Sequence, residues 1–562
     1  MRRRDALKYV LLGTASAVGI SVLEACGQPT APSAPAAAPT TPPAPAKPTT
    51  APAAPTSAPA AAPTSAPAPA AAAKPTVAPV QSTEKKGGTI TLGTAQDFPG
   101  LDPSLTTLFN ANNLHTLLWQ SLTRFDVNMD VQPDFAEKWD VVDPKTFVFY
   151  LRKGVRFHNG REAVADDVKF SIERVKDPAT KSPYSTYVEK IDTVQVVDNY
   201  TVKLNLSKAN AVQPDELTRI KIVPKEAASD FVNKPVGSGP YQFVEFVPGD
   251  HITLKRFDGY WDQPKPFPEQ FIIRVAKDEV AALNGLKAGQ FDILWQLQPP
   301  DVKSVQDTST LMVVSPKMSG NSLILQVDNS QAPFDNKLAR QALLYATDKV
   351  NIFSLTAFEI GWLSKTNSSL VPTHWAFNSA LQEREYNIQK AKELFREAGV
   401  KEGTELNYNT IAGRAGWRIQ GEILERSLNE CGIKLNIVAS DLAQWASLRT
   451  PGKHYQGWIN PNGNERAWDP SQQLKGYTSN ETISKVYYAN PEVDSLLDQG
   501  VSTFERDARK KVYDQVQAIL WEDVPWVTTH HYVFNHAAWK HVKGLFVDGQ
   551  GDMHFEGIST EK

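Results

Sequence analysis

Gly87-Gly88-Thr89-Ile90-Thr91-Leu92 is where this sequence changes character. From Thr89 the apolar residues alternate with Thr, the two-residue repeat of a half-buried strand. Downstream the pattern recurs. Thr146-Phe147-Val148-Phe149-Tyr150-Leu151 reads as a strand, and Gln195-Val196-Val197 with Thr201-Val202-Lys203-Leu204 reads as a hairpin around Asp198-Asn199-Tyr200. Helical signals are interspersed. Asp166 to Val175 reads as a helix, with Asp166 and Asp167 at its positive N-terminal end. Ile388, Ala391, Leu394, Phe395 and Ala398 mark one helical face between an N-cap at Asn387 and a stop at Gly399. A further helix runs from about Glu505 to Trp521, with Val512, Val516, Ile519 and Leu520 inward and Pro525 beyond it. Strands and helices mixed over so long a stretch predict an α/β protein. With 562 residues in the chain, more than one lobe is expected.

Upstream of Gly87 the composition forbids a core. Residues 27–86 are almost entirely Ala, Pro, Thr and Ser, with Lys47 and Lys74 the only charges before Glu84. Such a segment buries too little apolar surface to offset its ordering entropy, so a disordered linker is expected. At about 3.1 Å per residue in polyproline II it reaches on the order of 150 Å. Residues 1–26 read as a signal peptide: a basic start (Arg2, Arg3, Arg4, Lys8), then an apolar run from Tyr9 to Leu23. Arg3-Arg4-Asp5-Ala6-Leu7-Lys8 resembles the twin-arginine export pattern. Leu23-Glu24-Ala25-Cys26 resembles a bacterial lipobox, which implies lipidation at Cys26. Lipid, tether and folded body together predict an extracytoplasmic protein held on the outer face of the cytoplasmic membrane.

Composition excludes several function classes. Hydrophobic content of 41% and charged content of 22% are ordinary for a globular chain, and a net charge of −3 argues against nucleic acid as partner. Two cysteines, Cys26 and Cys431, build no disulfide framework, and Cys431 reads as a small apolar residue. No Gly-x-Ser-x-Gly elbow, His-Glu-x-x-His or Cys-x-x-Cys is present, so neither catalysis nor a cofactor is expected. His530, His531, His536 and His541 form the one suggestive cluster. Adjacent strand residues point to opposite faces, so these are read as ordinary histidines and no metal site is expected. Gly237-Ser238-Gly239-Pro240 lacks the Lys-Ser/Thr ending of a phosphate loop and reads as a turn before the strand Tyr241 to Phe246. Pro248-Gly249-Asp250 then closes a hairpin onto Ile252-Thr253-Leu254, and Arg156-Phe157-His158-Asn159-Gly160 reads as another turn.

Several stretches, in order, resemble the family 5 extracellular solute-binding proteins, the peptide- and nickel-binding group of ABC importers. They include Leu118-Trp119-Gln120-Ser121-Leu122-Thr123-Arg124-Phe125, then Gln132-Pro133-Asp134-Phe135-Ala136-Glu137-Lys138-Trp139. Leu151-Arg152-Lys153-Gly154-Val155-Arg156-Phe157, Pro235-Val236-Gly237-Ser238-Gly239-Pro240-Tyr241, Ala346-Thr347-Asp348 and Trp468-Asp469-Pro470 continue the series. The resemblance implies a two-lobed periplasmic-binding-protein-like fold of type II, large peptide-binding class, with a hinge between the lobes. It divides the chain into lobe I at 87–325, lobe II at 326–525 and a return to lobe I at 526–562, with hinge crossings near Leu323 to Asp328 and Val524 to His530. It implies a monomeric receptor that captures a solute, most often a di- or oligopeptide, and delivers it to two permease subunits driven by ATPases. An oligosaccharide or other non-peptide solute is the second reading, and a secreted hydrolase on a similar scaffold the third.

For the ligand site the sequence offers Trp458 to Asp469, reading Trp-Ile-Asn-Pro-Asn-Gly-Asn-Glu-Arg-Ala-Trp-Asp. Its Asn, Gly and Pro content predicts a loop, and the flanking Trp residues predict a pocket wall, with Trp458, Asn460, Arg466, Trp468 and Asp469 as ligand contacts. The resemblance implies an Asp here that pairs with a peptide's ammonium. Counting back from Asp469-Pro470 gives Arg466 instead, and counting forward from Trp458 gives Asn460 and Pro461. Arg466 is left either to meet a ligand carboxylate or to sit in solvent.

Overall fold

The computed structural model describes residues 87–98, 100–447, 457–465, 468–481 and 486–561. The segments read as signal peptide and linker, with Cys26, and Arg466 lie outside them. Among the described residues two large sheets organise the fold. The first has seven strands in the order Leu311–Val314, Asn535–Trp539, Ile293–Leu297, Thr89–Thr94, Gln270–Val275, His251–Arg256 and Tyr241–Val247. The strand that opens at Thr89 therefore sits at its centre, parallel to both neighbours. Ile90, Leu92, Phe271, Ile273 and Ile293 bury one face against Leu114, Leu117 and Leu118 of the helix Phe109–Leu118. A smaller sheet in the same lobe holds Thr146–Leu151 and the hairpin Ile191–Asp198/Thr201–Leu206. The helix Ala165–Lys176 covers it with Val168, Ile172 and Val175.

The second lobe is built on six strands in the order Trp362–Leu363, Trp526–His531, Asn321–Val327, Trp458–Glu465, Glu405–Ile411 and Lys434–Ser440. Every residue of Asn321–Val327 is buried, because helices cover both faces of this sheet. Leu325 and Val327 pack toward Ala339, Ala342 and Leu343; Ile324 packs toward Tyr477, Tyr513 and Val516.

Local signals behave as their chemistry requires. Asn387 caps the helix Ile388–Glu397 by accepting from the Lys390 N–H at 2.9 Å, and Gly399 ends it with φ +78°. Gly249 takes φ +75° in the turn between Tyr241–Val247 and His251–Arg256. In the turn after Arg156, the Gly160 N–H bonds to the Phe157 carbonyl. Cys431 is half-buried against an apolar cluster, and burial pushes its thiol up to about 11, away from reactivity.

One expectation is corrected. Trp458–Glu465 is a strand, not a loop, paired from Ile459 to Glu465 with Asn321–Val327. Its other neighbour, Glu405–Ile411, pairs only with Trp458 and Ile459. Pro461 thus lies where the strand has a partner on one side only, and its missing N–H costs no ladder bond. Long-range pairing overrode the loop preference of Asn, Pro and Gly.

The chain crosses between the two large sheets twice. Leu323–Val327 and Trp526–His530 are paired neighbours inside the second sheet. The passages lie at 315–320, before the first of these strands, and at 532–534, after the second. They are tied together: Ser319 Oγ donates to the Tyr532 carbonyl at 2.6 Å, and Ser315 Oγ to Asn535 Oδ1 at 2.7 Å.

Candidate ligand-binding cleft

Beside the two passages lies a cavity of about 270 Å³ walled by both lobes. The first lobe supplies Gln296 to Pro299, where the strand Ile293–Leu297 ends. The passage itself supplies Tyr532, Val533 and Phe534, three large side chains left half-buried. The second lobe supplies Leu323, Gly463 and His530 from its sheet, and Thr356, Ala357 and Ile360 from the helix Lys349–Ala357 and the turn after it. The remaining wall is Arg414, Gly416 and Trp417, at the start of the helix Ala415–Glu430.

Arg414 follows the carboxyl end of Glu405–Ile411, a strand parallel to both its neighbours. Crevices at such strand ends are where α/β sheets receive ligands. Its exposed guanidinium lies 4.6 Å from the Trp417 ring centroid, and Trp417 in turn rests against Trp445 at 5.5 Å. Stacking holds the planar cation at the cavity wall with its N–H groups free to meet a carboxylate in the guanidinium plane. His530 is neutral: burial lowers it to about 4. Among the described residues the lining carries one cation, Arg414, and no carboxylate.

The candidates read from the sequence are dispersed. Period-two alternation puts Ile459, Pro461 and Gly463 on one face of their strand and Trp458, Asn460 and Asn462 on the other. Gly463, opposite Leu323, lines the cavity. Asn460 is buried opposite Gln326 on the far face, and Trp458 is half-buried at the far end of the strand, opposite Asn407. Trp468 is buried with Phe125, Met129 and Val371, its ring 4.3 Å from that of His374. Asp469 caps the helix Pro470–Gln473 by accepting from the Ser471 N–H, and it receives Arg509 Nη2 at 2.7 and 2.9 Å. Its oxygens are occupied by the protein, and it does not reach the cavity.

Sequence reading passed over Arg414, Trp417, Tyr532 and Phe534. One signal was available: Arg414-Ala415-Gly416-Trp417 follows the alternating strand Glu405–Ile411 and opens a helix. Of the histidines, His530 faces the cavity, and His531 on the opposite face is buried and neutral, lowered to about 3. His536 meets the Gln296 N–H at 3.1 Å, and His541 meets Asp292 at 3.1 Å. They share no common centre.

A smaller cavity of about 70 Å³ lies inside the first lobe. Six of its charged groups form pairs: Arg124 with Glu556 and Arg219 with Asp552, both at 2.6 Å, and His554 with Asp548 at 3.1 Å, with Asp134 and Lys221 beside them. This is a self-compensating polar core.

Comparison with known proteins agrees with this architecture. The chain is 27% identical over 527 residues to heme-binding protein A of Haemophilus influenzae, across 86% of this chain and 94% of that protein. It is 27% identical over 507 residues to the dipeptide-binding protein of Escherichia coli, across 82% and 92% respectively. Its fold is similar to that of an ABC transporter-associated periplasmic binding protein, DppA of Helicobacter pylori, solved with the peptide STSA. The TM-score is 0.72 at 22% identity, covering 85% of this chain and 99% of that one. Residues 130–485 match the model of the bacterial extracellular solute-binding proteins, family 5 Middle. The two lobes, the double passage and this match place the chain in the family 5 bacterial extracellular solute-binding proteins.

Proposed function

We propose that this chain is the extracytoplasmic receptor of an ATP-driven importer, and that it encloses a small carboxylate-bearing solute, most readily a short peptide, between its lobes. One observation carries the reading: a cavity walled by both lobes and by the passage between them, with Arg414 its single cation among the described residues. A hinge at 315–320 and 532–534 lets ligand contacts with both walls favour the closed form. The apolar lining suits side chains, and the stacked guanidinium suits a terminal carboxylate. The protein acts as a monomer, binds without turnover, and hands its solute to two permease subunits. Cys26 carries the lipid anchor, and Arg466, outside the described residues, remains a candidate contact.

A dipeptide-binding relative and a peptide-bound structural neighbour support the peptide. The heme-binding relative favours a second reading, a larger apolar carboxylate. Mass spectrometry of the solute released from purified protein decides between them. Recovered peptides support the first reading, and a non-peptide carboxylate the second. Hydrolysis of a supplied peptide would sink the receptor reading altogether.

A further inference from the structure

Away from the cavity the lobes meet along a second contact. The Ala211 N–H donates to the Val501 carbonyl at 2.8 Å, and the ring of Phe504 packs 6.2 Å from that of Phe147. Arg506 stands 3.7 Å from Asp130, and Gln472 Nε2 donates to Glu216 Oε1 at 3.2 Å. Three carboxylates converge within this seam. Asp215 and Glu216 come from the first-lobe helix Gln213–Glu216, and Asp469 from the second lobe. All three are buried, at 9%, 2% and 4% exposure.

The surrounding cations do not balance them. Arg509 is committed to Asp469, and Arg219 to Asp552. Lys190 is 3.9 Å from Glu216, with Lys475 the next cation toward that side. Asn210 Nδ2 donates to Glu216 Oε2 at 2.7 Å. Asp215 faces Asp469, Glu216, Arg509 and Arg219, and no cation stands at ion-pair distance from it among the described residues. Carboxylates crowded together away from water do not all ionise; one keeps its proton.

We propose that closing the lobes takes up a proton: the seam between Asp215, Glu216 and Asp469 forms with one carboxyl protonated, so acidic conditions favour the closed receptor. The inference rests on the receptor reading and adds its regulation. Burial, then Asp469 and Glu216, holds Asp215 well above the usual carboxylate range, and burial raises Glu216 to about 7. With the seam open, both face water and ionise near 4. The closed form therefore binds the extra proton. Closure strengthens as pH falls through about 7 and levels off near 4, by up to about tenfold per pH unit for one proton.

The test is hydrogen exchange of the full chain without added ligand, followed at the peptide containing Ala211 from pH 8 to 5.5 and corrected for intrinsic exchange. The Ala211 N–H crosses the seam, so its protection reports closure. Protection should rise up to about tenfold per pH unit as pH falls. The variant Asp215→Asn/Glu216→Gln should be flat across the range and at least as protected at pH 8 as the native chain at pH 5.5. A native protection factor that ignores pH, or a variant that keeps the native slope, overturns the proposal. Should the double variant not fold, Asp215→Asn alone carries the same comparison. Failure to bind any solute would sink the receptor reading without altering this readout.

Discussion

Arg414 and Arg509 are two buttressed guanidinium groups with opposite consequences. Arg414 stacks on Trp417 and keeps its hydrogen-bonding edge at the cavity. Charge-assisted bonds to a carboxylate contribute about 1.5–3 kcal/mol. Arg414→Ala should weaken a carboxylate ligand at least about tenfold by calorimetry and leave the urea midpoint in place, with Arg414→Lys in between. Unchanged affinity in the Ala variant would remove Arg414 from the site. Arg509 is spent internally on Asp469 and Tyr513. Arg509→Met leaves the Asp469 carboxylate buried without its cation, which should cost about 3–5 kcal/mol in urea unfolding. A loss under about 1 kcal/mol would show that Asp469 is relieved by water.

At the scale of elements, the helix Ile388–Glu397 was legible to within a residue. Its cap, its stop and its apolar face are chemically local, and Ala391, Leu394 and Phe395 are buried as read. Asn387→Ala should cost about 1 kcal/mol by removing the acceptor for the Lys390 N–H. Gly399→Ala should cost a similar amount, because φ +78° crowds any Cβ. Equal urea midpoints for native and variant would refute either. The strand Trp458–Glu465 was illegible for the converse reason. Asn460, Pro461 and Gly463 each disfavour a strand, and only pairing with Asn321–Val327, more than a hundred residues away in sequence, outweighs them. Once it was misread as a loop, its alternation was lost. The side chains offered as a pocket wall then included Asn460, on the face away from the cavity.

For the whole molecule, buried titratable groups set a pH window. His115, His158, His374, His530, His531 and His536 are held neutral by burial, lowered to between about 3 and about 4. Unfolded, each takes a proton below about 6.5, so their stability contribution is present above that pH and is lost as pH falls toward 4. His554 has the opposite sign. Asp548 and Glu556 raise it to about 10, so its contribution is complete below about 6.5 and is lost as pH rises toward 10. The urea midpoint should therefore fall as pH drops below about 6.5, while on the alkaline side His554 is opposed by Lys349, which burial lowers to about 7. His554→Gln should leave the acid side in place and make the slope between pH 7 and 9 more positive than that of the native chain. An unchanged slope between pH 7 and 9 in that variant would contradict the assignment. The seam responds oppositely to acid: closure tightens as the fold loosens, so both are measured between pH 5.5 and 8.

What the sequence determined by itself is local or cumulative: strands and helices alternating from Thr89 onward, caps and turns, and an importer-receptor resemblance spread over many short stretches. These need only neighbouring residues. Tertiary structure alone decided which residues meet. It placed Arg414, Gly463, Tyr532 and Gln296 around one cavity although they are scattered over more than two hundred positions. It turned Asp469 inward to Arg509, and it set Asp215 and Glu216 of one lobe against Asp469 of the other. The physical reason is that sheet order and lobe closure are set by long-range pairing and burial, which no window of sequence contains.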